Sequence, residues 1–285
     1  IRNCLVGSEM CIRDSYRNGM EIILTGLNIE EKAKSFTDTL FKSLGGIDQF
    51  DEVSIDLHQT QKNNPNSNEE AMASLSLSVK SMDPNLVGRM FSAKVVELSL
   101  ASFPGFFAQG GVKPSGPVIV YWPALIDSIH IKEKVYVDGK KIEILPTSQL
   151  GLEDKYYQKE PIDIPEAPEG PRKPVYFGEI YGTRSGDKGG CANLGVWAKS
   201  NMAYSFLYEF LTVKKLKELL PDIEKYEIDR YELPNIKSLN FYIHDILQDG
   251  ISSNNRKDGQ AKSLGEYLGS KLVDVPDEIL NEKII

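Results

Sequence analysis

The 285-residue chain lacks the features that mark several classes of protein. It has no apolar run close to the roughly 18–20 residues that span a bilayer, which excludes a membrane-embedded protein. It also has no basic excess, since 33 Lys and Arg stand against 41 Asp and Glu and give a net charge of −8. A general nucleic-acid binder needs a basic face that neutralises phosphates. We therefore expect neither a membrane nor a nucleic acid as a partner.

Cysteine is scarce, and two of the three cysteines lie in a segment that looks foreign. The chain begins with Ile1 rather than Met, and residues 5–15 (LVGSEMCIRDS) resemble the translation of a transposase-type sequencing adapter. We interpret residues 1–15 as a library artefact joined to a truncated reading frame, with a natural N-terminal extension as the alternative. Cys191 alone then remains, which excludes an internal disulfide or an iron–sulfur cluster and fits the reducing cytoplasm.

Histidine is equally scarce. His58, His130 and His244 fall in different predicted elements and show no H-x-x-H spacing. That spacing would place two imidazoles on one face of a helix, as a zinc site needs. We therefore expect surface or edge histidines, no metal site and no cofactor.

The hydrophobic pattern of residues 16–144 predicts a first domain in which strands and helices alternate. Strand-type runs, several of them alternating, cover residues 21–25, 53–57, 75–79 and 118–122. The resulting βαββαβ order is that of a ferredoxin-like sandwich, with two helices on one antiparallel sheet. Residues 135–144 add a hairpin with a primed-turn signal at Asp138-Gly139.

The two helices of this first domain have recognisable ends in the sequence. Asn28 and Glu31 have capping-box spacing at the start of the first helix, and Gly45-Gly46 supplies a left-handed stop. Asp83-Pro84 predicts the start of the second helix, with an N-cap followed by proline at the first helical position.

A proline-rich stretch separates this domain from the rest of the chain. Six prolines between residues 145 and 174 predict an extended linker, so we place the domain boundary there. Strands are predicted over residues 175–181, 192–198, 226–233 and 238–243. Asn201 and Thr212 are expected to cap helices, and a last helix is expected to carry Leu264 and Leu272. The fold class is therefore α+β in two domains, each a sheet with helices mainly on one face, and residues 275–285 form a tail.

The densest functional-looking stretch joins two of these predicted strands. Gly182 to Asn193 holds four glycines, two cations and one carboxylate. Glycine permits positive φ, so the amides of such a loop can converge on an anion. The candidate ligand-binding residues here are Arg184, Ser185, Gly186, Asp187, Lys188, Gly189, Gly190 and Asn193. Arg184 offers a fork for a carboxylate or phosphate, while Asp187 and Lys188 are the candidate catalytic groups. The alternative is a long turn with solvated charges.

Asn235 and Asn240 complete the candidate binding set, because they lie around the predicted turn and strand that follow Pro234. An asparagine beside a proline is more often turn chemistry. Cys191 lies within the glycine-rich stretch but has no nucleophile signature around it, and we expect a small packed thiol.

These residues resemble those of the acyclic terpene utilization (AtuA) family. The resemblance rests on Arg184–Gly190 with Ala192-Asn193, on Tyr231–Asn235 with Leu239–Phe241, and on Asp258, Gln260, Lys262 and Gly265. It implies a ferredoxin-like fold for residues 175–274 and, for residues 16–144, the end of a larger N-terminal domain. The chain would then be a fragment of a longer protein. Cys191 departs from the Asp or Asn expected in relatives.

The resemblance also implies a function. It implies a cytoplasmic bacterial protein of acyclic terpenoid catabolism, of the citronellol or geraniol type, in a route of branched acyl-CoA thioesters with a biotin-dependent carboxylase. The expected ligand is a CoA thioester or a carboxylate, and no reaction is assigned to the family. The rival interpretation is a non-enzymatic accessory or scaffold subunit of the carboxylase system, or a homo-oligomer, because ferredoxin-like domains can pair through sheet edges.

Overall fold

The computed structural model describes residues 5–101, 103–127, 130, 133–144, 164 and 166–282. It divides into two compact units. Residues 12–120 form the first, and the described residues from 121 onward belong to the second. Most of the linker expected over residues 145–174 lies outside the described residues, so the predicted domain boundary and the foreign origin of residues 1–15 stay predictions.

The first unit begins with the predicted βαββαβ order, but its fourth strand, Phe106–Gln109, was not predicted, and the strand expected over residues 118–122 is a fifth one. Its elements are β1 (Leu5–Thr25), α1 (Ile29–Ser43), β2 (Glu52–His58), β3 (Met72–Ser81), α2 (Phe91–Ala101), β4 (Phe106–Gln109) and β5 (Gly116–Asp127). The strands are ordered β2-β3-β1-β4, every neighbour antiparallel, and β5 also pairs with β1. The first four strands therefore follow the ferredoxin-like order that the sequence predicts.

Apolar spacing explains why α1 packs on this sheet. Ala33, Phe36 and Leu40 recur at helical intervals and are buried. The predicted end is confirmed, because Gly45 and Gly46 have φ values of 91° and 114°. The predicted capping box is wrong. Asn28 itself is left-handed, with φ 56° and ψ 45°, and its side chain caps no amide.

The expected hairpin is present as β6 (Glu133–Val137) and β7 (Lys140–Ile144). Asp138 and Gly139 have φ values of 48° and 74°. Two consecutive positive φ angles are what a type I′ turn requires, so the short sequence signal identified the turn correctly.

Besides the β6–β7 hairpin, the described residues of the second unit form two small sheets. Its elements are β8 (Arg172–Tyr176), α3 (Phe177–Ile180), β9 (Gly182–Lys188), β10 (Cys191–Trp197), α4 (Asn201–Phe210), α5 (Val213–Leu219), β11 (Ile228–Leu233), β12 (Ser238–Ile243), α6 (Leu264–Gly269), β13 (Leu272–Pro276) and α7 (Asp277–Leu280). The four-stranded sheet has the order β11-β12-β10-β9, and β13 pairs with β8. Strands β10, β11 and β12 correspond to the first three strands of the ferredoxin-like order. In that order the fourth strand, which follows the second helix, lies beside the first. Here β9, which precedes β10 in the chain, takes that edge position.

Three local expectations for this unit need correction. The strand expected over residues 175–181 ends at Tyr176, and a helical turn follows. The cap of α4 is Ser200, whose side chain accepts a hydrogen bond from the amide of Ala203, rather than Asn201. Leu272 begins β13 instead of continuing the last helix. The cap at Thr212 is confirmed, since its side chain accepts from the amide of Lys215.

The four-stranded sheet is buried on one face only. The side chains that alternate inward along β10 and β12 are fully buried beneath the helices: Ala192, Leu194, Val196, Leu239, Phe241 and Ile243. The residues between them point to the opposite side, which we call the open face. This arrangement confirms the predicted α+β class. Along the part of the chain described, no helix combines the length and apolar character needed to cross a bilayer.

Candidate functional site

The glycine-rich stretch is a strand rather than a loop. Gly182–Lys188 forms β9, and each of its residues pairs with β10, from Gly182 opposite Trp197 to Lys188 opposite Cys191. Only Gly189 and Gly190 remain as the turn, and of these Gly189 has a left-handed φ of 66°. The expectation of a glycine loop whose amides converge on an anion is therefore wrong.

Strand geometry divides the candidate residues between two faces, because successive side chains of a strand point in opposite directions. Arg184, Gly186 and Lys188 lie on the open face. Ser185 and Asp187 pair with the buried Leu194 and Ala192 and therefore lie on the core side. Asp187 and Lys188, the candidate catalytic groups, therefore lie on opposite faces of the sheet.

Ser185 has a structural partner on the core side. Its hydroxyl accepts a hydrogen bond from the amide of Gly265, at 3.1 Å, where α6 begins. A Cβ on Gly265 would lie 3.1 Å from the Thr183 hydroxyl and 3.2 Å from the Arg184 amide. Glycine at this position lets α6 approach β9 closely, and Ser185 fixes the start of the helix.

The Asp187 carboxylate forms no ion pair with the neighbouring Lys188. The Lys188 ammonium donates to the backbone carbonyl of Asp187, at 2.9 Å, rather than to its carboxylate. Among the described residues, the Arg184 side chain is exposed and takes part in no ion pair or side-chain hydrogen bond. The guanidinium is therefore available to a ligand.

Two of the three candidate asparagines meet on the open face. The Asn193 amide donates to the Asn240 side-chain oxygen at 3.2 Å, although 47 residues separate them in sequence. The pair leaves one acceptor on Asn193 and one donor group on Asn240 for other partners. Asn235 lies elsewhere, exposed on the short helical turn Pro234–Ile236 between β11 and β12.

The open face has a recess beside Arg184. Gly186 on β9 and Gly195 on β10 both face this side, and Gly195 pairs with Arg184. A Cβ on Gly186 would meet no atom within 4 Å, and one on Gly195 would lie 4.0 Å from the Asn240 side-chain oxygen. We call this gap, floored by Gly186 and Gly195 and bordered by Arg184, Asn193 and Asn240, the recess.

One end of the open face is aromatic and apolar. Trp197, Tyr231 and Leu233 lie there with 42%, 51% and 42% of their surface exposed. The Trp197 ring occupies the space where Gly182 would carry a Cβ. These side chains therefore lie on the surface of the sheet rather than in its core.

The open face also carries a group of four residues that the sequence did not bring together: Cys191, Asp229, Tyr242 and His244. The imidazole of His244 lies 2.9 Å from the Asp229 carboxylate, and this hydrogen bond raises the pKa of His244 above its ordinary 6.5. A hydrogen bond with Cys191 raises the pKa of Tyr242 to about 12. The alternation within the predicted strands 226–233 and 238–243 is the signal that could have placed them on one face.

The turn of the β9–β10 hairpin is fixed by a neighbouring segment. The Leu247 amide donates to the Gly190 carbonyl at 2.8 Å. A Cβ on Gly190 would overlap the Gln248 carbonyl oxygen. Glycine is therefore required at position 190 by close backbone packing, which explains this candidate residue without a ligand.

Asp258, part of the family-like tail motif, also has a structural role. Its carboxylate accepts hydrogen bonds from the amides of Lys262 and Ser263 and from the Ser263 hydroxyl, at 2.9, 2.8 and 2.6 Å. Burial alone would raise the pKa of Asp258, but these hydrogen bonds outweigh it and lower the pKa. The carboxylate shapes the loop that leads into α6.

Comparison with known families gives two matches. The family described as "Acyclic terpene utilisation family protein AtuA" matches residues 7–137, and the "AtuA ferredoxin-like domain" matches residues 176–274. The second range runs from the end of β8 into β13 and contains the whole open face. No curated protein and no solved structure matches the chain. The resemblance inferred from the motifs is confirmed.

Proposed function

Because this chain belongs to the AtuA family of acyclic terpene utilisation, it has a role in that process, and we propose that its open face binds a branched acyl ligand by an anionic head group. The ligand class is a carboxylate or a CoA thioester. Arg184 provides the charge, Asn193 and Asn240 provide hydrogen bonds, and the aromatic end of the face receives the hydrocarbon chain.

The observation that carries this proposal is the free guanidinium of Arg184 beside the recess. A guanidinium presents two parallel N–H groups that match the two oxygens of a carboxylate or phosphate. The recess brings a head group close to the backbone, because neither Gly186 nor Gly195 places a side chain there. Charge and space therefore coincide at one point of the face.

The apolar end supports the acyl part of the ligand. Tyr231 on β11 lies level with Arg184, because the pairings Arg184–Gly195, Gly195–Asn240 and Asn240–Tyr231 follow one another across the sheet. Trp197 and Leu233 lie two residues further along their strands, on the same face. A chain anchored by its head at Arg184 can bury its methyl branches on these rings, which stabilises it by about 25 cal/mol per Å² of apolar surface.

Binding, rather than turnover, is the activity that this geometry supports. Asp187 lies on the opposite face from Lys188, so the acid–base pair considered from the sequence is divided. Binding without turnover also suits the accessory role in a carboxylase system that the sequence left as the rival interpretation. That role would present or sequester the acyl ligand.

Isothermal titration of the full chain with short branched acids and with their CoA thioesters tests the proposal. Charge-assisted hydrogen bonds contribute about 1.5–3 kcal/mol, so Arg184→Ala should weaken binding roughly ten- to hundredfold. Lys214→Ala is the matched control, since it removes one exposed cation from α5 on the helical side. Equal affinity for the wild-type chain and Arg184→Ala would refute the proposal.

Lys188→Ala separates the two ligand classes. Lys188 lies four residues from Arg184 on the same strand and face, a distance of about 13 Å at 3.3 Å per residue. A short acid bound at Arg184 cannot reach that far, whereas the phosphates of a CoA thioester can. We expect Lys188→Ala to weaken binding of the thioesters only, and loss of acid binding would show that the head group lies elsewhere.

A further inference from the structure

We propose that two copies of this chain pair through their open faces, about a two-fold axis that runs parallel to the strands of the C-terminal sheet. The inference goes beyond ligand binding and commits to a second copy of the chain as the partner. It follows from an asymmetry in both the shape and the charge of the face.

The shape of the open face differs between its two halves. The half formed by β9 and β10 is low at the recess, where Gly186 and Gly195 carry no side chain, and rises only at its far end, where Trp197 lies. The half formed by β11 and β12 is raised by large side chains, namely Tyr231, Leu233, Tyr242 and His244. A raised half of one copy therefore has a counterpart in the low half of another.

The charge of the face differs in the same direction. Arg184 and Lys188 make the β9 edge positive, and both are exposed. At the opposite edge Asp229 on β11 is paired with the imidazole of His244, and Glu227 just before β11 supplies the negative charge that is left for a partner. The positive edge of one copy thus complements the negative edge of a second.

Only one orientation of a two-fold axis uses both asymmetries. An axis parallel to the strands places β9 of one copy over β11 of the other and keeps each residue at its own level along the sheet. An axis across the strands would place β9 over β9 and bring the cations together. The repulsion of like charges and the meeting of the low halves disfavour that second arrangement.

The strand register states which residues meet. Arg184 is level with Tyr231, so its guanidinium would stack on the Tyr231 ring of the second copy. At the other end of the sheet, Lys188 pairs with Cys191, and Ala192, the next residue of β10, pairs with Ile243. Cys191 is therefore level with His244, whose amide donates to the Glu227 carbonyl at 3.0 Å. Lys188 and Glu227 thus lie at the same level, on opposite edges of the sheet. Lys188 of each copy therefore faces Glu227 of the other, twice per pair.

The size of the face sets the expected strength. Four strands of six or seven residues measure about 19 by 20–23 Å, so pairing covers roughly 800–900 Å² in total. This is less than the roughly 1,200 Å² of a standard interface and is typical of weak, transient association. We expect reversible association in the micromolar range that weakens with salt. The pairing does not depend on the proposed ligand. Because Tyr231 of the second copy would cover the recess, pairing would compete with ligand binding, and only this consequence rests on the proposed function.

Sedimentation equilibrium of the full chain, at loading concentrations from 1 to about 300 micromolar, tests the pairing. The expected result is a monomer–dimer equilibrium that Lys188→Glu and Glu227→Lys each shift at least tenfold toward monomer. The double variant should recover most of the association, because the opposite charges face each other again. Lys214→Glu on the helical side is the matched control and should dimerise like the wild-type chain.

The outcomes separate this inference from the proposed function. A wild-type chain that stays monomeric throughout that range, or single charge reversals that leave the equilibrium unchanged, would overturn the pairing. Single variants that dissociate without recovery in the double variant would also contradict the proposed register. A Glu227→Lys variant that is monomeric, so that its recess is uncovered, and that still binds none of the acids or thioesters would remove the ligand proposal and leave the pairing intact. A wild-type chain that binds ligand but stays monomeric would do the reverse.

Discussion

At the residue scale, His244 is the titrating group of the open face with the best-defined partner. Its imidazole Nε2–H donates a hydrogen bond to the Asp229 carboxylate at 2.9 Å, and its ring packs edge-on against Tyr242 with centroids 4.9 Å apart. The carboxylate favours the imidazolium, so the pKa of His244 is raised above 6.5. The stabilisation this pair gives is complete below pH 6.5 and is lost as the pH rises through the raised pKa.

NMR titration of the imidazole protons checks this assignment. We expect the pKa of His244 to lie above 6.5 in the wild-type chain and to fall toward 6.5 in Asp229→Asn, because the hydrogen-bonding carboxylate is then neutral. Glu227→Gln is the control and should move the pKa less, since Glu227 acts only through its more distant charge. An unchanged pKa in Asp229→Asn would show that the hydrogen bond does not form in solution.

At the element scale, the two glycines of β9 and its turn make different demands on the fold. Gly190 has no room for a Cβ, because the Gln248 carbonyl oxygen occupies that space. Gly186 has open space above it and an unstrained φ, so a methyl group fits there. Substitution by alanine should therefore lower the stability of the fold at position 190 and leave it unchanged at position 186, only four residues away.

Urea unfolding of the two variants measures the difference. Gly190→Ala should destabilise the chain by about 1–3 kcal/mol or more, as expected when atoms are forced into a packed site. Gly186→Ala should leave the free energy of unfolding within about 0.5 kcal/mol of the wild type. It should nevertheless weaken acid binding, because the methyl group fills the recess. Equal stability of the two variants would mean that the segment around Gln248 does not hold the turn.

The sequence predicted the elements better than it predicted the site. The βαββαβ order of the first unit, the Asp138-Gly139 turn and the apolar strands of the second unit follow from local periodicity. β9 did not, because glycine and charged residues are poor strand formers and local propensity favours a loop. Its strand conformation comes from pairing with β10, a tertiary effect, and the assignment of residues to faces depends on that pairing.

Asn193 and Asn240 show the same limit within the site. The sequence makes each a candidate, but their hydrogen bond depends on the register of β10 and β12. The two asparagines are 47 residues apart in sequence, so local patterns do not show that they meet. The sequence places Ser185 and Asp187 among the candidate ligand-binding residues because they lie within the glycine-rich stretch. A strand period of two sends every second residue of such a stretch to the core, which only the register could reveal.

At the scale of the whole molecule, each unit encloses its own buried cluster. Phe36, Leu75 and Phe91 belong to one cluster, and Leu194 and Phe241 belong to the other. Removing a buried phenylalanine costs about 3–5 kcal/mol. Units with separate cores unfold in separate transitions when their stabilities differ.

Calorimetry of two matched variants tests whether the units unfold independently. Phe91 and Phe241 are both fully buried, one in each cluster. Phe91→Ala should lower the melting temperature of one transition by roughly 10 °C or more and leave the other in place, and Phe241→Ala should do the converse. A single endotherm that moves as a whole in both variants would mean that the two cores form one cooperative unit. In that case the cost of Gly190→Ala would be shared by the first unit, whereas independent cores confine that cost to the sheet that carries the open face.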